Sequence, residues 1–192
     1  IKALSLFILF IPLAMAAVVP KLTTPVIDQA GLLSNKQKTI LERTLQQVHK
    51  NIGPQVQVLT LKSLDGEAIE DFAIKAVDKW QLGDQEKDDG LLFVISTGDR
   101  KMRIEVGDGL EGIMTDYESH KIIQGVTPYF KSGQYGDGIV FGVKSILSKL
   151  GVNSGDIPVK RIKKRKQKDG FSPFVTFLFI IIIIFLRTRR GG

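Results

Sequence analysis

Leu91-Leu92-Phe93-Val94-Ile95 is an unbroken apolar run. The turn Thr97-Gly98-Asp99-Arg100 follows it, and then Lys101-Met102-Arg103-Ile104-Glu105-Val106, where charged and apolar side chains alternate. An apolar run of this length suits a central strand covered on both faces, because neither face then meets water. Period-two alternation suits a strand with one face buried, here the Met102, Ile104 and Val106 face. Two such runs joined by a short Gly-containing turn predict a β-hairpin.

Upstream, Gln55 to Leu61 also alternates as a strand, with Val56 and Val58 on one face. Between the strands, Glu67 to Trp80 places Ile69, Phe72, Ala73, Ala76, Val77 and Trp80 at helical spacing, and Trp80 reads as core. Strand, crossover helix, strand implies a parallel pair with a right-handed connection. Further out, Ser34 and Gln37 fit a capping box, opening a helix whose Ile40, Leu41, Leu45 and Val48 share a face; Gly53-Pro54 ends it. Downstream, Thr115 with Glu118 fits a second capping box for a helix through Ile122, Ile123 and Val126 to Phe130. A last helix carries Ile139, Val140, Val143, Ile146, Leu147 and Leu150. The predicted class is α/β: a three-layer α/β/α sandwich around a small mixed sheet.

The ends differ from this middle. Residues 1–17 combine Lys2, an apolar run and the small-x-small site Ala14-Met15-Ala16, the pattern of a secretory signal peptide. Residues 171–186 are apolar, with isoleucine from Ile180 to Ile184, and read as a transmembrane helix. The domain is expected over residues 18–152, a basic linker over 153–170 and a short basic tail over 187–192. Residues 18–152 carry 16 basic and 18 acidic side chains, a net of −2, so the overall charge of +7 belongs to the tail. Lys160 to Lys168 beside an apolar helix favours anionic lipid over nucleic acid. The linker's seven basic residues outnumber Arg187, Arg189 and Arg190, which opposes the positive-inside bias. An export signal that translocates the domain first overrides that bias, so the domain is expected in the periplasm or on the extracellular side. With no cysteine, disulfides, thiolate metal sites and a cysteine nucleophile are excluded together.

Gly107-Asp108-Gly109-Leu110-Glu111-Gly112 matches the dinucleotide fingerprint G-x-G-x-x-G, but the helix is expected to open later, at Thr115. No acidic residue ends a second strand about 20 residues on, and no nucleotide cofactor is expected. Asp84, Glu86, Asp88 and Asp89 crowd the loop before the apolar strand. Their spacing is not that of an EF-hand: with Asp84 first, Gly90 falls at position 7 rather than 6. Loops at strand ends of an α/β sheet meet in a crevice, so the 84–90 loop, the 107–112 loop and Asp116 are expected to converge. Carboxylates gathered there repel unless a hard cation or Arg103 neutralises them, and oxygen-only ligands suit Ca²⁺ or Mg²⁺. Asp116 has an equally good role in favouring the positive end of its helix. Arg103 reads as the partner of an anion or carboxylate, or as part of an exposed edge. His49 and His120 read as structural, and no Gly-x-Ser-x-Gly elbow is present.

Five motifs in order resemble the TPM domain family: Val26-Ile27-Asp28-Gln29-Ala30-Gly31-Leu32-Leu33-Ser34, Trp80-Gln81-Leu82-Gly83, Asp88-Asp89-Gly90-Leu91-Leu92, Arg103 to Gly112, and Thr115-Asp116. Signal peptide, domain and late anchor together resemble its bacterial YgcG type. The resemblance implies a divalent-cation site, calcium rather than magnesium, with Asp28, Asp88, Asp89, Glu111 and Asp116 as acidic candidates and Arg103 as the basic one. It also implies two alternative roles. One is a binding or maintenance module for membrane complexes, the other a metal-dependent acid phosphatase; both are attributed to a plant thylakoid relative. The sequence offers candidate ion ligands but no convincing nucleophile or general base, which favours the binding module.

Overall fold

A computed structural model describes residues 17–152. The leader at 1–16, the linker at 153–170, the apolar segment at 171–186 and the tail lie outside the described residues. Among the described residues no helix is long and apolar enough to cross a membrane. Ala17, which the sequence assigns to the leader, packs with the domain; it is buried, and its carbonyl accepts from Lys75 Nζ at 3.1 Å.

The elements run β1 (Val26–Asp28), α1 (Asn35–Ile52), β2 (Gln55–Leu61), α2 (Ile69–Trp80), β3 (Gly90–Ser96), β4 (Lys101–Val106), a 3₁₀ turn (Asp108–Leu110), α3 (Asp116–Lys131) and α4 (Tyr135–Lys149). One sheet holds the strands in the order β1-β2-β3-β4; the first three are parallel and β4 is antiparallel to β3. The apolar strand is central in the physical sense, with Leu91 to Ile95 all fully buried. Alternation along β2 and β3 sends Val58 and Phe93 to one face and Leu59 and Val94 to the other, so each face carries its own core. The first core takes Leu41 and Leu45 of α1, Val126 of α3 and Val143 of α4. The second takes Phe72, Ala73 and Ala76 of α2. Helices therefore cover both faces, as expected.

This arrangement adds a second crossover to the one expected. Strands β1, β2 and β3 follow one another across the sheet, yet α1 and α2 lie on opposite faces. The two crossovers must then be of opposite hand, and one departs from the right-handed rule. The strand β1 has three residues, too few for a periodic signal, and was not anticipated. Trp80 is half-buried at the rim of the second core, where its indole N–H donates to Pro20 O at 2.9 Å.

Both helix starts that the sequence marked hold, one of them in half. Ser34 and Gln37 form the reciprocal capping box. Thr115 caps α3 by accepting from Glu118 N, but the Glu118 carboxylate reaches across to Lys149 of α4 at 2.8 Å. That ion pair holds the Glu118 carboxyl below its usual range. Asp99 is held low as well, first by the Ser96 hydroxyl and then by the Leu64 amide. A carboxyl with a depressed folded-state pKa stabilises above its unfolded value, and that contribution is lost as pH falls through the folded value. Melting temperature is therefore expected to stay level from about pH 7 to 5 and to drop below about pH 4. Combining Asp99→Asn with Glu118→Gln should remove part of that drop; an unchanged profile in the double variant would refute the assignment.

Candidate functional site

The hairpin decides where the acidic loops meet. Because β4 returns antiparallel, its C-terminal end lies beside the N-terminal end of β3, with Val106 opposite Leu91. The 84–90 loop enters that edge and the 107–112 loop leaves it, so the two come together as expected. The edge is the amino edge of the parallel strands, opposite the carboxyl edge where α/β sheets usually bind ligands.

Backbone contact holds the loops together, and it explains the motif glycines. A side chain at Gly90 would stand 2.2 Å from Leu82 O, and one at Gly83 would stand 2.4 Å from Gly90 N. Across the edge, side chains at Gly107 and Gly109 would meet Asp88 O at 2.3 Å and Lys87 O at 1.8 Å. Gly112 has open space around it. Four of these glycines are therefore required by close approach.

The aspartates of the first loop organise its backbone. Asp84 Oδ1 accepts from Glu86 N and Lys87 N at 3.0 and 3.2 Å, and Asp89 Oδ1 accepts from Asp84 N at 2.9 Å. Asp89 is 7% exposed. Asp88 adopts φ +45, and its Oδ2 accepts from Asp108 N at 3.0 Å, which latches the two loops. An ionised carboxylate has about four acceptor positions, so these bonds leave part of Asp88 and Asp89 free.

Asp28 is not at this edge. It pairs with Thr60, which pairs with Ile95, five residues beyond Gly90 along β3; that separation is about 17 Å. Its carboxylate accepts from Leu32 N at 3.0 Å, from Leu33 N at 2.9 Å and from the Thr60 hydroxyl. Asp28 folds the turn after β1, and the five carboxylates do not make one cluster. Among the described residues no three acidic or imidazole side chains are grouped to hold a metal ion. The set as a whole therefore does not fit a single preformed cation cage.

Glu111, Asp116 and Arg103 do share a site. An open cleft of about 450 Å³ is lined by Arg103 to Val106 of β4, by Glu111 and Met114, and by Thr115 to Tyr117 at the start of α3. Arg103 finds its carboxylate on its own strand, as Nε meets Glu105 Oε2 at 2.5 Å. That bond raises the guanidinium pKa further, with Glu70 and Asp116 adding to it. One cation against Glu105, Glu111 and Asp116 leaves the cleft at −2. Tyr117 on its wall is 70% exposed and nearby Ile113 is 53% exposed. Neither side chain is singled out by the sequence, because an isolated apolar residue beside a helix start carries no periodic signal. His49 Nδ1 lies 2.9 Å from Gly53 O at the end of α1, and His120 is paired with Gln124 within α3.

A four-stranded mixed sheet with helices on both faces and glycine-built loops at one edge defines an α/β domain. Residues 26–149 match the family model of the TPM domain, and the chain belongs to that family. Among solved structures it is similar to the N-terminal domain of a protein from P. gingivalis, at 35% identity and TM-score 0.62, over 67% of this chain and 82% of that one. The N-terminal domain of the cg2496 protein from Corynebacterium glutamicum shares the fold at 17% identity and TM-score 0.53, over 78% and 95%. So does the BA42 protein of the psychrophilic Bizionia argentinensis, at 17% identity and TM-score 0.50, over 69% and 89%. No curated protein matches the chain.

Proposed function

We propose that this TPM domain is a binding module, tethered to the membrane by residues 171–186 on the extracytoplasmic side, that engages a membrane complex through the acidic cleft. The observation that supports this reading is the exposed Tyr117 and Ile113 beside a cleft of net charge −2. Exposed aromatic and aliphatic side chains bordering a charged recess have the make-up of an interface, with an apolar anchor and a polar surround. A divalent cation belongs to the same reading in a narrower form. Glu111 and Asp116 would hold it with water completing the shell, a flexible arrangement that suits Ca²⁺ better than Mg²⁺. The basic linker would lie against anionic lipid.

A photo-crosslinking residue in place of Tyr117, in the full chain in its membrane, is expected to capture one membrane protein. The same residue in place of Gln46, on the exposed side of α1, should not. Equal capture from both positions, or none from Tyr117, would overturn the reading. The alternative, a metal-dependent phosphatase, predicts hydrolysis of p-nitrophenyl phosphate by the full chain that stops on chelation and returns with calcium or magnesium. Such activity, lost in Asp116→Asn, would replace the binding module with the enzyme.

A further inference from the structure

A second cleft of about 450 Å³ lies at the other end of β4, at the carboxyl edge of β3. The β3–β4 turn and the first residues of β4 form one wall; the last turn of α3 and Tyr135 at the start of α4 form the other. Its charge is opposite to that of the acidic cleft. Arg100, Lys101 and Lys131 line it, and no carboxylate does, in a domain whose overall charge is −2. None of the three cations belongs to a salt bridge among the described residues. Of the carboxylates nearest in sequence, Asp99 accepts from the Ser96 hydroxyl and from Leu64 N and keeps a charge that attracts that of Lys101, and Asp137 accepts from Gln37 Nε2.

The other polar groups of the lining are largely used up. Ser96 donates to Asp99, Thr97 to Leu61 O and Thr127 to Ile123 O, so one guanidinium and two ammonium groups are left to meet a ligand. Between them lies an apolar floor of Met102 and Phe130, with Tyr135 edge-on to Phe130 at 5.2 Å between ring centroids. Arg100 also stands at φ +55, a left-handed position where glycine or asparagine is the unstrained choice.

We propose that this cleft binds a doubly charged organic anion that carries an aromatic or similarly flat apolar body. Charge number argues for a dianion, since Arg100, Lys101 and Lys131 with Asp99 beside Lys101 sum to +2. The floor argues for the apolar body, because rings present a face for stacking and the cations can sit over its π-system. Size agrees, since sites for small molecules begin at about 300 Å³.

The test uses the full chain in non-ionic detergent, with amide shifts followed by NMR. Phthalate and phenyl phosphate are the dianions with a ring. Benzoate has one charge, benzyl alcohol has none, and inorganic phosphate has no ring. Both ring dianions should give saturable shifts centred on Thr97, Arg100, Lys101, Lys131 and Tyr135, with affinity about tenfold above benzoate and inorganic phosphate. Lys131→Gln and Arg100→Gly should each weaken binding about tenfold. Arg100→Gly also relieves the strained backbone and so keeps the fold. Arg103→Gln, in the other cleft, should leave affinity unchanged. The proposal fails if the ring dianions show no saturation up to about 10 mM, if benzyl alcohol gives the same shifts, or if neither cleft variant weakens binding. Shifts at these residues produced by phosphatidylglycerol vesicles but by no soluble dianion would assign the patch to the membrane surface and overturn it as well.

Discussion

Replacing Gly90 with alanine should destabilise the domain by about 3 kcal/mol, a loss of roughly 10–15 °C in melting temperature. The added methyl would sit 2.2 Å from Leu82 O and 2.6 Å from Leu82 C. Both are backbone atoms of the turn that ends α2, and no rotamer change can relieve the contact. The turn cannot retreat either, because Gly83 packs in return against the Gly90 backbone and sits at φ +99. Gly109→Ala should behave similarly, driving a methyl to within 1.8 Å of Lys87 O and parting the two acidic loops. The informative control is Gly112→Ala in the same motif, which has nothing within 4 Å and should shift the melting temperature by less than about 2 °C. Thermal unfolding of the full chain in detergent, followed by circular dichroism, measures all three. Equal effects at Gly90 and Gly112 would show that close approach is not what these glycines provide.

Asp28→Ala should also cost about 3 kcal/mol, and the cost should be the same with calcium and with chelator. Leu32 N, Leu33 N and the Thr60 hydroxyl all lose their acceptor, and the first two are amides of a turn with no sheet partner to fall back on. Asp28→Asn keeps one carbonyl oxygen and should lose about half as much. A cost that grew with calcium would return Asp28 to a cation site. Glu111→Gln and Asp116→Asn are expected to contrast with it. Each relieves repulsion in the acidic cleft, so each should be neutral or mildly stabilising in chelator and should reduce whatever calcium adds.

These contrasts show how differently five acidic residues of one motif set can be used. In sequence Asp28 looks like the other four, an acidic residue in one of five motifs. Only the register of β1 against β2 places it with Thr60, at the far edge from Asp89. No local pattern carries that information, since a three-residue strand has too short a period to be seen and its partner lies some thirty residues away in the chain. The convergence of the 84–90 and 107–112 loops was legible, because a hairpin brings its outer ends together whatever the rest of the sheet does. That they gather at the amino edge follows from the same order, since the 84–90 loop precedes β3 and the hairpin returns the 107–112 loop to that end.

Glu118 makes the same point on a smaller scale. Thr115-x-x-Glu118 is a capping box by pattern, and the threonine obeys it. The glutamate finds Lys149 instead, because α4 packs beside α3 and offers a full charge where the box offers one backbone amide. Both bonds are charge-assisted on the carboxylate side, but the Lys149 ammonium adds a full opposite charge, so the long-range partner wins. The cationic cleft was beyond sequence reading for a related reason. Arg100 and Lys101 belong to a hairpin turn and Lys131 and Tyr135 to a helix junction thirty residues on, and each looks like ordinary solvated surface where it stands.

The amino-acid sequence by itself determined the elements and which side of each is buried: the covered strand at Leu91–Ile95, the alternating strand after it, the capped helix at Ser34, and the apolar faces of the four helices. Those follow from periodicity and capping, which act between residues at most four apart. The tertiary structure alone decided the hands of the crossovers, the separation of Asp28 from the loop acids, and the division of charge into an acidic cleft at one end of β4 and a basic one at the other. Those depend on which elements the two cores draw together, and burial of apolar surface is non-directional until packing chooses the partners.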